Sequence, residues 1–228
     1  MKLNQWFRFI ALLFPVYFSS LKQKKRTFEQ RWFTLKQWCE RFFKWTQIKY
    51  EGHMSPVSTN QTVYYVSNHQ GQFDPILLMA VLQKPMTFIS KVENLKLPVI
   101  GRWGKLIGFI TFKREEFDAN VTMLRQSVRT LKEGRSVLIF PEGTRSKSNE
   151  LLVFKPGALL PAYLAKVPIV PITQIHTHEL DKLWKHKNVL QVIIGEPIEY
   201  DQYKDIPYAQ MAIKIHDVIE SNIKKALN

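Results

Sequence analysis

A single cysteine, Cys39, stands among the 228 residues. That excludes a disulfide framework and a thiolate zinc site, and it suits a reducing compartment. Acidic residues are scarce, 19 against 33 Lys and Arg, so the formal charge is +14. Such a charge invites nucleic acid or an anionic membrane surface. Yet no helix-turn-helix, zinc-finger or aromatic RNA-binding signature accompanies it, and nucleic acid is not an expected partner. The apolar run Phe9–Phe18 has ten residues with Pro15 inside it, too few to cross a bilayer, which takes about 20. No small-x-small cleavage site follows the run, which argues against a secretory signal. Also missing are an internal repeat, a low-complexity tract and a Gly-x-Ser-x-Gly nucleophile elbow.

What is present is a core-forming composition with its basic and aromatic residues crowded at one end. The chain is 45% hydrophobic and 23% charged, enough for one sizeable core. Residues 1–50 hold eleven Lys or Arg and two acids, and 14 of the 29 aromatics. We therefore divide the chain into an N-terminal element, 1–50, and a main domain, 51–228. The first reads as two helices. Over Thr27–Tyr50, Phe28, Trp32, Leu35, Cys39, Phe42 and Phe43 share one arc, while Lys36, Glu40, Arg41 and Lys44 face the other way. Aromatic and basic faces on one helix suit a lipid headgroup boundary, against the plainer alternative of a helix packed on the core. The expectation is a peripheral, monotopic element on an anionic membrane.

From Gln61 onward, short β-rich runs alternate with helical ones, the pattern of an α/β fold with a mostly parallel or mixed sheet. Strands are expected at 62–67, 86–90, 108–112, 136–140, 169–172 and 189–194. Helices are expected at 74–82, from an Asp118 N-cap to about 132, at 157–166 and at 208–226.

Three segments carry chemistry. In His69-Gln-Gly-Gln-Phe-Asp74, the His follows a strand and the Asp opens a helix. An Asp bonded to one ring nitrogen fixes the tautomer, and the other nitrogen can take a proton from a hydroxyl. The spacing alone is weak, since His176–Asp181 repeats it in a polar stretch where a solvated loop is expected. In Phe140-Pro-Glu-Gly-Thr-Arg-Ser146, a strand stops at a turn offering backbone N–H groups and a guanidinium to an anion. In isolation that segment is better read as a turn with a surface Arg. Lys91, Lys113 and Arg114 close strands, and they converge beside His69 if those strands are neighbours.

Together these segments resemble the glycerolipid acyltransferase family, most closely its bacterial 1-acylglycerol-3-phosphate acyltransferases. Asn68, His69 and Asp74 match its first motif, Gly108 to Arg114 its second, and 140–146 its third without a change. Phe154–Ala158 and Val167–Pro171 follow in family order. Gly71 stands where the family often has Ser, and Lys113 where an acid often precedes the Arg. The resemblance implies a membrane-associated acyltransferase acting on the cytoplasmic face of the cell membrane. It would move a fatty acyl group from an acyl carrier protein or coenzyme A thioester to the free hydroxyl of lysophosphatidate. In this picture His69 is the general base and Asp74 orients it. The resemblance further assigns Arg145, Arg114 and Lys91 to the phosphate, with Glu142, Gly143 and Thr144 lining the substrate turn. No metal, no cofactor and no acyl-enzyme on Cys39 are implied.

Overall fold

The computed structural model describes residues 3–54, 61–113, 117–182 and 187–228. Two antiparallel-linked helices come first, α1 (Leu3–Leu21) and α2 (Phe28–Thr46). Thr27 starts α2 with a capping box, its hydroxyl accepting from Gln30 N and the Gln30 side chain accepting from Thr27 N. The main domain then runs β1 (Tyr50–Met54), β2 (Tyr64–Ser67), α3 (Asp74–Val81), β3 (Met86–Lys91), α4 (Pro98–Leu106), β4 (Ile110–Phe112), α5 (Phe117–Lys132) and β5 (Ser136–Ile139). It continues with α6 (Leu160–Ala165), β6 (Ile169–Ile175), β7 (Leu190–Ile194), α7 (Tyr200–Tyr203) and α8 (Tyr208–Leu227). Short 3₁₀ turns intervene at Val92–Lys96, Pro156–Leu159 and Thr177–Lys182.

The strands form a seven-stranded sheet in the order β1-β7-β6-β2-β5-β3-β4. Every neighbouring pair is parallel except β6 with β7. The expected mixed, mostly parallel α/β sheet is therefore what forms. Consecutive residues go to opposite faces, as the period of two requires. Tyr65, Leu138 and Val170 join a core with residues of α1, α2, α3 and α4, whereas Tyr64, Val137 and Ile169 face Leu131 of α5, Ala162 of α6 and Ile215 of α8.

Several expectations change. Strand β1 is not among the expected strands: its Tyr-Glu-Gly-His-Met sequence is polar, and among the described residues it pairs only with β7, far along the chain. Helix α4, not among the expected helices, forms over a stretch that contains Pro98, Gly101 and Gly104. Pro98 occupies its first turn without cost, and the two glycines are buried against Leu95 and Phe109. Helix α5 begins at Phe117, so Asp118 lies in its first turn and does not cap it.

The largest correction concerns α2. Its aromatic arc faces the core, not lipid: Trp32, Cys39, Phe42 and Phe43 are buried in the cluster that holds Leu77 and Leu78 of α3. Lys36, expected on the polar side, is 6% exposed. Its Nζ donates to the Ala80 carbonyl at 2.5 Å and pairs with Glu40 at 3.0 Å. A cation can be buried there because the C-terminal carbonyls of α3 need donors that the helix lacks. The exposed aromatics lie elsewhere, at Phe7, Phe14 and Phe18 of α1 and at Phe33 and Trp45 of α2. Among the described residues no helix is long and apolar enough to cross a membrane.

Candidate active site

The parallel strands bring their carboxyl ends to one edge of the sheet, where α/β folds gather ligands. His69 follows β2, Phe140–Ser146 follows β5, Lys91 ends β3 and the Thr177–Lys182 turn follows β6. Lys91 is in register with Phe112, so Lys91 and Lys113 share that edge. Arg114 lies outside the described residues.

The His69 and Asp74 side chains meet. His69 Nδ1 lies 2.8 Å from Asp74 Oδ2. The same carboxylate accepts the backbone N–H of Gln70 at 2.6 Å and of Gly71 at 3.0 Å, and it is fully buried. Three donors on one buried carboxylate hold it rigidly at the start of α3. The imidazole stacks on Phe140, with centroids 4.2 Å apart and planes at 19°. With Nδ1 tied to Asp74, Nε2 is the nitrogen left for a substrate hydroxyl.

Glu142, assigned above to the substrate turn, spends both oxygens on the backbone. Oε1 accepts His69 N at 2.7 Å and Oε2 accepts Leu152 N at 3.2 Å. Burial pushes its carboxyl up to about 7; the two N–H donors pull the other way, and the nearby Asp74 adds a smaller upward push. Glu142 thus braces the His69 backbone. Two more bonds lay the turn along the His69 loop: Ser146 N donates to His69 O at 2.8 Å and Lys147 N to Gln70 O at 3.1 Å.

Gly143 has φ +66°, which a residue with a Cβ adopts only under strain, and its N–H donates to Phe140 O at 3.0 Å. That N–H is consumed by the turn and is not offered to a substrate. The N–H groups of Thr144 and Arg145, next in line, have no partner among the described residues. The Arg145 guanidinium, 41% exposed, stands 3.8 Å from Asp181.

Two features were missed. Lys155 leans over Gly143, its Nζ 3.1 Å from where a Cβ there would lie, adding a cation to the turn. The second is the His176–Asp181 stretch, which is not a solvated loop. Thr177 is fully buried and donates to the Gln70 side chain through N and Oγ1, at 2.9 and 3.1 Å. His176 does not pair with Asp181; its ring lies 3.4 Å from Glu179. Asp181 instead accepts Gln72 N at 2.8 Å. Upstream, Asn68 bonds both backbone atoms of Gln174, at 2.7 and 2.9 Å, and ties β2 to β6 beside the dyad. The run of short polar side chains around each strand end was the available signal, since buried amides of this kind must find partners. Cys39 lies apart from this edge, buried in α2, and burial pushes its thiol up to about 12.

The acyltransferase family model matches residues 47–174, more than half of the chain. The chain belongs to the acyltransferase family. It is 30% identical over 192 residues to the 1-acyl-sn-glycerol-3-phosphate acyltransferase of Haemophilus influenzae, covering 82% of this chain and 79% of that one. It is 36% identical over 172 residues to the chloroplastic 1-acyl-sn-glycerol-3-phosphate acyltransferase LPAT1 of Arabidopsis thaliana. That match covers 73% of this chain and 48% of the plant protein, so the chain spans about half the length of such curated plant relatives. Among solved structures, the PlsC acyltransferase of Thermotoga maritima superposes with a TM-score of 0.78 over 98% of this chain and 93% of that one, at 22% identity. The last likeness fixes the acyltransferase fold, N-terminal helix pair included.

Proposed function

We propose that this acyltransferase-family chain transfers an acyl group from a thioester to the free hydroxyl of 1-acylglycerol 3-phosphate, giving phosphatidic acid. The donor is acyl carrier protein or coenzyme A. The observation that carries the reading is the His69–Asp74 contact at 2.8 Å, on the same edge as a turn holding Arg145. In the reaction Nε2 of His69 takes the hydroxyl proton as the oxygen attacks the thioester carbonyl. The tetrahedral oxyanion collapses, the carbon–sulfur bond breaks, and the departing thiolate takes the proton back from the imidazolium. Base catalysis of this kind contributes about 10²–10⁴-fold. We assign the oxyanion to the N–H groups of Thr144 and Arg145.

The phosphomonoester is assigned to the Arg145 side chain, with Lys91 and Arg114 beside it. Holding both reactants is the larger task, for fixing their geometry supplies about 7–11 kcal/mol. Glu142 and Asp74 act through His69 as positioning groups. The thioester is already activated, so the scheme calls on no metal and no cofactor.

The acceptor is a membrane lipid, and the site must meet the headgroup plane. Support for a monotopic seat on the cytoplasmic leaflet comes from the exposed Phe7, Phe14 and Phe18 of α1, Phe33 and Trp45 of α2, and Leu97 and Ile100 at α4. The turn that joins the two helices, which follows Phe18 in the chain, exposes Lys22, Lys24, Lys25 and Arg26, which suit anionic headgroups.

The test is labelled-thioester transfer to lysophosphatidate with product identification, alongside glycerol 3-phosphate and larger-headgroup lysophospholipids. His69→Ala should lower turnover about 10²–10⁴-fold while vesicle binding persists. Unchanged turnover in that variant removes the base assignment. Activity confined to acceptors without a phosphomonoester removes the Arg145 role.

A further inference from the structure

The aromatic packing of the helix pair extends to the dyad. Phe73, the residue before Asp74, is 5% exposed. Its ring stacks on Phe42 of α2, with centroids 5.6 Å apart and planes at 12°. Phe9 of α1 meets both rings edge-on, 6.0 Å from Phe73 and 5.9 Å from Phe42. The backbone of Phe73 begins α3: its carbonyl accepts the N–H groups of Ile76 and Leu77, each at 3.0 Å. No side chain caps that helix start, so the clamped ring holds it from the helix-pair side while the bonds to the Asp74 carboxylate hold it from the His69 side. The far end of α3 is held by α2 as well, through Lys36 and Ala80. One short helix is thus gripped at both ends by the N-terminal pair, and it carries Asp74 as its first residue.

We infer that Phe73 is a positioning residue, clamped by Phe42 and Phe9, and that the seating of α1 thereby sets the His69–Asp74 geometry and turnover. The inference rests on the reading of His69 as base. It adds that α1, whose other side exposes Phe14 and Phe18, belongs to the catalytic setting and is more than an anchor. A buried carboxylate at a helix start moves only with its backbone, and the backbone here moves with the Phe73 ring. Misplacing a reacting group by about 1 Å costs on the order of 10²-fold in rate.

The experiment uses the full-length chain with short-chain lysophosphatidate and a short acyl thioester, both monodisperse and without vesicles, so that membrane binding drops out. Phe9→Ala should lower kcat by about 10- to 100-fold and leave KM within about twofold, with Phe9→Leu recovering part of the loss. The proton shared by His69 and Asp74, followed by ¹H–¹⁵N NMR, should broaden or move upfield in Phe9→Ala. Ile215→Ala, a buried truncation on the opposite sheet face, should lower stability and change neither readout. Should Phe9→Ala fail to fold, Phe9→Leu and Phe42→Leu carry the same measurements. Wild-type kcat together with an unchanged His69 resonance in the folded variants overturns the clamp. Wild-type turnover in His69→Ala would instead reject the base assignment, and the resonance would still decide the clamp.

Discussion

A Cβ placed on Gly71 would lie 2.9 Å from an Asp181 carboxylate oxygen, 3.0 Å from the Thr177 carbonyl and 3.2 Å from the His178 Cα. Two of those three contacts are backbone, so the 3₁₀ turn itself would have to retreat. The glycine at the place where related chains often carry Ser follows from how closely this turn packs on the His69 loop. Gly71→Ser should therefore cost about 1–3 kcal/mol by overpacking. The melting temperature should fall by roughly 2–10 °C, measured by thermal unfolding. Because Asp181 holds Gln72 N and faces Arg145, the same variant should also raise the acceptor KM.

Glu142 connects stability to pH. Its carboxyl ionises near 4.5 when exposed and near 7 in the fold. As pH rises through that interval the unfolded chain loses this proton first and the native chain keeps it. The unfolded state then binds fewer protons, and stability falls until the native carboxyl has also ionised. Glu142→Gln removes this titration. The variant should be less stable overall, because an amide has one acceptor oxygen for two N–H groups. Its stability should nevertheless vary less between those two pH values than the wild type's. Denaturant midpoints collected across the interval check this; equal slopes in both proteins would contradict it.

Arg145 is assigned to the substrate phosphate, and its 3.8 Å contact with Asp181 is long and partly exposed, so little stability depends on it. Arg145→Ala should leave the melting temperature nearly unchanged. It should lower kcat/KM for a phosphomonoester acceptor by about 10- to 100-fold, the worth of a charge-assisted hydrogen bond. Arg145→Lys should recover part of the loss, since it restores the charge without the planar fork.

Lys36 and Lys44 lie on one helix and have opposite fates. Lys36 is buried on the Ala80 carbonyl, and Lys44 is exposed. Lys36→Met keeps most of the side-chain bulk but strands the carbonyl and should cost about 1–3 kcal/mol in denaturant unfolding. Lys44→Met should stay within about 0.5 kcal/mol of the wild type.

The strand periods, the start of α3 and the His69–Asp74 pair were legible because each belongs to one local unit. A strand, a turn and a helix opening five residues later bring Nδ1 onto the carboxylate with little help from the rest of the chain. The basic and aromatic N-terminus was equally plain as composition. Its division into core and surface was not, because an amphipathic pattern states which residues share a face and not what that face meets. The arc of α2 met the sheet, and the outward aromatics came mainly from α1.

By itself, then, the sequence determined the α/β class, the order of most of its elements and the residues able to move a proton or hold an anion. Only the tertiary structure decided that Glu142 would brace His69, that Asp181 would face Arg145, that β1 would join β7 and that Lys36 would lie beneath α3. Each of these joins a donor or cation on one element to an acceptor on another that is distant in the chain. The free energy that pays for burying a polar group exists only once that partner is in place. Until the chain has folded, a lysine on a helix and a glutamate in a turn remain merely polar.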